Sequence, residues 1–124
     1  MRRIKLDITT AADGTATAFF HKASGKIHSI HYIKDGANAF ADGVDFTVTA
    51  EATGENIWTE ANVNASSVRY PRAPTHSQAG APALFAADGA AVNDKIGIGN
   101  DRIKVVIAQG GNAKKGQIHI LLDT

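Results

Sequence analysis

The chain has 124 residues, 44% of them hydrophobic and 20% charged, with a formal net charge of +1 at pH 7. These values are typical of one compact domain over residues 1–124, they exclude a disordered chain, and they predict neither a nucleic-acid partner nor a polyanion-binding surface. The absence of cysteine excludes disulfides, thiolate catalysis and cysteine-based zinc sites.

The first third of the chain has the two-residue apolar periodicity of β-strands. Residues 3–9 alternate apolar and polar side chains, as does the segment 15–20 after an Asp-Gly turn, and the two predict a hairpin. The N-terminus enters this strand without a long apolar core, so we expect no signal peptide and no membrane segment. Residues 26–34 carry apolar side chains on both faces, which predicts a central strand.

The middle of the chain predicts a second hairpin and then a long excursion. Residues 44–49 and 57–63 are predicted to be the strands of the hairpin, and a short strand follows at 67–70. Residues 71–94 contain all three prolines, so no long strand can cross them. Within this excursion, Pro82 can occupy the first turn of a short helix over residues 83–87.

Three further strands are predicted at the C-terminal end, at residues 95–98, 102–108 and 117–122, with a glycine-rich hairpin tip at 109–116. The count is about eight mostly antiparallel strands separated by turn signals. We therefore expect an all-β domain, either a β-sandwich or a small barrel, with one long loop at 71–94 that carries a short helix.

The histidines do not predict a metal site. His28 and His31 are three residues apart, which places them on opposite faces of a regular strand. His119 lies between two isoleucines and should point away from the core, towards solvent. We expect these side chains to be solvated or locally hydrogen-bonded, and we predict no metal ligands.

No other motif predicts a cofactor or a catalytic group. The sequence Gly-Ile-Gly-Asn at 97–100 lacks the third glycine of a dinucleotide fingerprint, and residues 109–116 lack the spacing of a phosphate-binding loop. The aspartates at 35, 42 and 45 neighbour glycines or turns and do not have the spacing of a calcium loop. We therefore expect a protein that is not an enzyme and that binds no cofactor.

Surface aromatic residues indicate binding to another molecule. Trp58 and Phe19 fall on the polar faces of their predicted strands, and Leu84-Phe85 is an apolar pair inside the excursion. Exposed aromatic and apolar side chains more often mark a protein interface than a small-molecule pocket. A sandwich can also bury such side chains against its own loops, so an interface and packing within the domain are equally weighted alternatives here.

Three segments carry a resemblance to a known group of proteins: YPRAPTH at 70–76, GAPALFAADG at 80–89 and NDRIKVVIAQGGN at 100–112. Together with the opening strand, Asp-Gly turn and second strand, they make the chain resemble small proteins encoded in the structural modules of tailed bacteriophages and prophages, near the major capsid gene. The resemblance covers most of the length. It implies a virion structural protein and supplies no catalytic residues.

From this resemblance we expect a capsid decoration or cement protein, synthesised in the host cytoplasm and located on the capsid surface of the virion. Its partners would be the major capsid protein and further copies of itself, as a trimer, because modest contacts add up in a multivalent assembly. The N-terminal strand could also extend a capsid sheet through its free edge. The residues expected at the interface are Arg2, Arg3, Tyr70, Arg72, His76, Leu84 and Phe85.

Two other functions fit the same sequence. The first keeps the virion but places the protein at the head-tail connector or in the tail. The second is a binding module for carbohydrate or protein, in which Trp58 and Phe19 would provide the stacking surface.

Overall fold

The computed structural model describes residues 1–124 and contains ten strands and no helix. Every pair of strands is antiparallel, so the predicted all-β, antiparallel class is confirmed. No helix is present that is long and apolar enough to cross a membrane. The strands are β1 (Arg2–Thr9), β2 (Ala16–Phe19), β3 (Ala23–Lys34), β4 (Asp45–Ala50), β5 (Asn56–Glu60), β6 (Ser67–Arg69), β7 (Arg72–Pro74), β8 (Asn93–Asp101), β9 (Ile103–Ala108) and β10 (Lys115–Asp123).

The strands form one sheet of six and one sheet of four. The six-stranded sheet has the order β1-β10-β3-β8-β7, and β6 also pairs with β3. The four-stranded sheet has the order β2-β9-β4-β5, in which β4 and β5 form the predicted second hairpin. The predicted central strand is also confirmed, because β3 pairs with β10 on one edge and with β8 and β6 on successive parts of the other.

The other two predicted hairpins are wrong. β1 pairs with β10 in the larger sheet, while β2 pairs with β9 in the smaller one. The pairing of β1 with β10, in which Arg2 lies opposite Leu122, continues into the pairing of β2 with β9, in which Ala16 lies opposite Ile107. The two pairings differ in register by one residue. The β1–β2 and β9–β10 segments are therefore the two sides of a single ribbon that bends from one sheet into the other.

Two glycine-containing turns meet at this bend. The Gly110 N–H donates to the Gly14 carbonyl over 2.8 Å, and the Thr10 N–H donates to the Lys114 carbonyl over 2.9 Å. The Thr10 hydroxyl, which is buried, donates to the Gly111 carbonyl over 2.6 Å. The chain does turn at both predicted segments, 13–14 and 109–116. Each turn carries the chain from one sheet to the other instead of closing a hairpin, as corners in β proteins do.

One hydrophobic cluster of 22 buried residues lies inside the molecule and draws on both sheets. At its centre, the Phe46 ring of β4 packs edge-to-face against Tyr32 of β3 and Trp58 of β5, with centroid distances of 4.7 and 5.4 Å. Phe40, from the loop before β4, contacts the same ring at 6.0 Å. These aromatic contacts join the larger sheet to the smaller one.

The predicted short helix at 83–87 is absent. The Phe85 N–H donates to the Ala90 carbonyl and the Val92 N–H to the Ala83 carbonyl, both over 3.0 Å, so this part of the chain forms a tight hairpin. A five-residue helix has a costly nucleus and few internal hydrogen bonds, and it persists only when packing supports it. No neighbouring element covers this segment, and pairing across turns satisfies its backbone instead.

Candidate interaction surface

Residues 71–94, which we call the arm, extend from the β7 end of the six-stranded sheet. None of these residues is buried, although the segment is rich in alanine and proline. From residue 73 to residue 87 it carries no aspartate, glutamate, lysine or arginine. The arm therefore contributes little to the core of its own domain, and over residues 73–87 it exposes an uncharged, largely apolar surface.

The arm has a defined backbone structure made of two consecutive tight hairpins. In the first, the Ser77 N–H donates to the Ala81 carbonyl over 2.9 Å, and His76 pairs with Pro82. In the second, Leu84 pairs with Ala91. These hydrogen bonds satisfy the backbone groups of the arm within the arm itself.

Three of the four expected interface residues in the arm are exposed. Phe85 is 75% exposed and Leu84 is 43% exposed, on the second hairpin. His76 is exposed on the first hairpin. Leu84, Phe85 and His76 therefore lie on the same segment, the arm, and all three are exposed.

Tyr70 and Arg72 lie at the base of the arm, where they contact an irregularity in β3. The register of β3 against β10 shifts between Ile27 and Ser29, which leaves His28 as the extra residue of a β-bulge. Arg72 donates through Nη1 to the His28 carbonyl over 3.1 Å, and the Tyr70 ring packs edge-to-face on the His28 ring at 5.8 Å. Arg72 therefore anchors the arm to the sheet, while Tyr70 stays 60% exposed.

The bulge also changes the expected arrangement of the histidines. The Ser29 hydroxyl lies 3.2 Å from His28 Nδ1 and 3.0 Å from His31 Nε2, so the prediction of opposite faces is wrong. Bulges re-aim side chains in this way because one strand gains a residue over the other. The Ser29 side chain that links the two rings is itself buried. No group of three or more histidine, aspartate or glutamate side chains could hold a metal ion.

Arg3 and His119 belong to a hydrogen-bonded chain on the outer face of the six-stranded sheet. Arg3 Nη1 lies 3.1 Å from His119 Nδ1, and His119 Nε2 lies 2.7 Å from Gln117 Oε1. A guanidinium can only donate, so Nδ1 accepts and the Nε2–H donates to Gln117. Gln117 in turn donates to Asp7 over 2.8 Å. His119 was expected to be solvated, but it is only 9% exposed. The hydrogen bonds from Arg3 and to Gln117 favour the neutral imidazole.

We expect the stability of the protein to decrease as the pH falls below about 6.5, and His119→Gln to remove part of that decrease. Burial, and then the charges of Lys5, Arg3 and His31, lower the pKa of His119. The unfolded chain therefore binds this proton at a higher pH than the folded chain, so stability is lost from the unfolded pKa down to the folded pKa.

Urea denaturation between about pH 7.5 and about pH 5.5 measures this effect above the range in which carboxylates titrate. The His119→Gln variant should show a shallower decrease than the natural chain. Equal slopes for the two proteins would show that His119 does not contribute.

The two aromatic residues expected to stack on a ligand are occupied within the chain. Trp58 is 7% exposed, because a bulge at Ile57 turns its side chain into the core, and its indole N–H donates to Glu60 over 3.2 Å. The Phe19 ring is half-buried and covered by the Arg102 guanidinium at 4.1 Å from the ring centroid. The prediction that Trp58 is exposed is wrong, and neither ring presents a free stacking surface.

Arg2 and Arg3 lie at the start of β1, which forms the end of the six-stranded sheet opposite the arm. Both residues are exposed, but they share no surface with Leu84 and Phe85. The expected interface residues therefore fall into two groups, one on the arm with its base and one on the β1 edge. β1 pairs only with β10, so its other edge is free. The side-chain pattern of β1 does not reveal this free edge.

Comparison with known proteins yields no match: no family model, no curated protein and no solved structure matches the chain.

Proposed function

We propose that this chain is a virion structural protein of a tailed bacteriophage or prophage, which decorates the capsid by binding the major capsid protein through the arm. The observation that carries this proposal is a segment of 24 residues, 71–94, without a single buried residue, of which only Arg72–Pro74 and the first two residues of β8 belong to strands of the larger sheet. Such a segment adds little to the stability of its own domain. Its apolar surface and exposed Phe85 are the features that protein interfaces use.

The composition of the arm favours a protein surface as its partner. Fifteen consecutive residues, 73–87, carry no formal charge apart from any on His76, so the arm offers little attraction to nucleic acid or to a charged membrane. Leu84 and Phe85 are adjacent on its second hairpin, and both are exposed to contact by another protein. The proposed role is structural and requires neither catalysis nor a cofactor.

We further infer that the two sheets form a β-sandwich, which presents the arm at one end of the larger sheet. Closure into a barrel would remove free edges. Here each sheet retains end strands, β1 and β7 in one and β2 and β5 in the other, around one shared core. A rigid sandwich is a suitable platform for an arm that must reach a neighbouring molecule.

The proposed assembly on the capsid is a trimer, located on the virion surface after synthesis in the host cytoplasm. Three arms held together bind more strongly than one, because once the first is engaged the other two bind at a high effective concentration. An arm that makes only a modest contact can therefore hold its position at the junction of several capsid subunits.

The test of this proposal is the copy number in purified particles, measured by quantitative mass spectrometry relative to the major capsid protein. A ratio near one to one supports decoration of the whole shell. A handful of copies per particle would instead place the protein at the head-tail connector or in the tail. Complete absence from particles would reject a virion role and favour a binding module.

We expect the double substitution Leu84→Ala and Phe85→Ala to reduce occupancy on particles by at least about tenfold, because it removes the apolar tip of every arm. The isolated domain should keep its unfolding midpoint, since neither side chain is buried. Binding of the purified variant to particles that lack the protein measures the effect.

A matched control is the double substitution Ile33→Ala and Val68→Ala, whose side chains are 41% and 42% exposed on the outer face of the larger sheet. This control should retain occupancy. Unchanged occupancy of the Leu84 and Phe85 variant, at an unchanged midpoint, would show that the arm is not the capsid contact.

A further inference from the structure

The strand β1 has the longest free edge in the molecule. It has eight residues in uninterrupted register with β10, and residues 2–9 make no backbone hydrogen bond to any other segment. The other end strands are shorter, with three residues in β7, four in β2 and five in the bulged β5. Proteins usually blunt an edge with short length, bulges, proline or charged side chains, lysine above all. β1 has no bulge and no proline, and its charged residues carry both signs, so they do not repel every second strand.

The inner side of this edge is incompletely covered. Ile4 and Leu6 pack against the core but are only partly buried, whereas Ile118 and Ile120, which lie opposite them on β10, are 0% exposed. Burial therefore decreases across the last strand of the sheet. One more strand beside β1 would complete the burial of both side chains.

The residues of β1 are complementary to a second copy of themselves. The segment Arg3-Ile4-Lys5-Leu6-Asp7 has a cation at one end, an anion at the other and an apolar residue on each side of Lys5. In an antiparallel pair centred on Lys5, each Arg3 lies opposite Asp7 of the second copy. Each Ile4 likewise lies opposite Leu6 of the second copy. We propose that β1 pairs in this register with β1 of a second copy, which joins two six-stranded sheets into one continuous sheet across a two-fold axis.

The backbone is oriented for this pairing. The Thr10 N–H donates to the carbonyl of Lys114, the residue opposite it, over 2.9 Å. The even-numbered residues of β1 are therefore the ones whose backbone groups point to β10. Hydrogen-bonded and non-bonded positions alternate along an antiparallel pair. The N–H and C=O groups of Arg3, Lys5 and Asp7 therefore point to the free edge, where a second β1 can bond them.

The charged side chains remain able to form the cross-strand pairs. The Arg3 guanidinium has five N–H donors and uses one towards His119, while Asp7 accepts from Gln117 through Oδ1 and keeps Oδ2 free. Two opposite-charge pairs then offset one like-charge pair, Lys5 with Lys5 of the second copy. Lysine side chains are long and flexible, so the two ammonium groups can separate in solvent.

This two-fold contact does not depend on the proposed capsid function. The β1 edge and the arm lie at opposite ends of the larger sheet, so one surface can be disrupted while the other stays intact. A trimer formed elsewhere on the chain would be joined by this contact into a six-chain assembly. In either case, disruption of the β1 contact should halve the mass of the assembly.

Single cysteine variants test the register, because the natural chain has no cysteine. In the proposed pair the two copies of residue 5 face each other at about 5.5 Å between Cα atoms, within reach of a disulfide. The two copies of residue 3 are about 14 Å apart, which is too far. Under mild oxidation, Lys5→Cys should form a covalent dimer in high yield, and Arg3→Cys should remain uncrosslinked.

Charge exchange tests the pairing, with the molar mass measured by light scattering during size exclusion. Arg3→Asp alone and Asp7→Arg alone each place like charges opposite one another and should raise the dissociation constant roughly tenfold or more. The double variant Arg3→Asp and Asp7→Arg should restore the natural mass. An equimolar mixture of the two single variants should also associate, because their strands complement each other.

Three results would overturn the inference: a natural chain whose mass does not respond to either single charge change, equal crosslinking of the two cysteine variants, or failure of the double exchange to restore the mass. The first of these would leave the edge open to a strand from another protein. Particle occupancy of the Leu84 and Phe85 variant is a separate measurement, so the two proposals can fail independently.

Discussion

The Phe46→Ala variant is expected to lose about 3–5 kcal/mol of its free energy of unfolding, because the cavity it leaves lies between the two sheets. The Phe46 ring is 0% exposed and forms edge-to-face contacts with Tyr32, Phe40 and Trp58. Such pairs contribute beyond their buried area, at about 0.5–1.5 kcal/mol each. Three rings that pack on one centre cannot all move in to fill the space.

Urea or guanidinium denaturation, monitored by Trp58 fluorescence and by circular dichroism, measures the loss. Phe85→Ala makes the same chemical change at a side chain that is 75% exposed, and it should shift the midpoint very little. A loss below about 1 kcal/mol for Phe46→Ala would mean that the core collapses around the missing ring. The aromatic cluster would then not be what joins the sheets.

The Gly14→Val variant should lose about 2–4 kcal/mol, because it places a branched side chain at the corner where the ribbon bends. Gly14 has a φ of +82°, and a Cβ at this position would lie 3.0 Å from the Gly111 nitrogen and 3.3 Å from the Gly110 nitrogen. The neighbouring atoms are backbone, so they cannot rotate away. The hydrogen bond from Gly110 to the Gly14 carbonyl would be strained as well.

Gly54→Val is the matched control, since Gly54 has a similar φ of +74° but a Cβ at this position would have no atom within 4 Å of it. This control measures the backbone strain alone, about 1–2 kcal/mol. The difference between the two variants then gives the cost of crowding the corner. Equal losses would show that the corner tolerates a side chain and that the close approach of the two turns is not required.

Strand positions could be predicted from the sequence because their cause is local. The alternation at residues 44–49 decides which side chains face the core, and Val44, Phe46 and Val48 are buried as expected. The central position of β3 could be predicted too, since apolar residues on both of its faces require neighbours. The adjacent strands β4 and β5 pair as a hairpin because the short loop between them leaves few alternatives.

Pairing between distant strands could not be predicted in the same way. The Asp-Gly turn at 13–14 has the same local sequence whether the chain returns along the strand it has just left or bends into another sheet. The choice depends on the partner turn at 110–113, far along the chain, and on the hydrogen bonds that the two turns exchange. Local turn chemistry carries no information about that partner.

Single-residue irregularities had large consequences for the candidate site. One extra residue at His28 brings three side chains together on the outer face, and one at Ile57 turns Trp58 from the predicted surface into the core. A bulge shifts every later side chain to the other face, and its position depends on the paired strand. The alternating pattern of one strand therefore cannot locate it.

The sequence by itself determined the all-β class, the absence of thiol chemistry and the apolar, uncharged character of residues 73–87, because these follow from composition and short-range pattern. Only the tertiary structure decided that the same segment is an exposed arm rather than part of the core, and that β1 is left with a free edge. Exposure and free edges depend on which distant strands occupy the neighbouring positions, and only long-range pairing settles that.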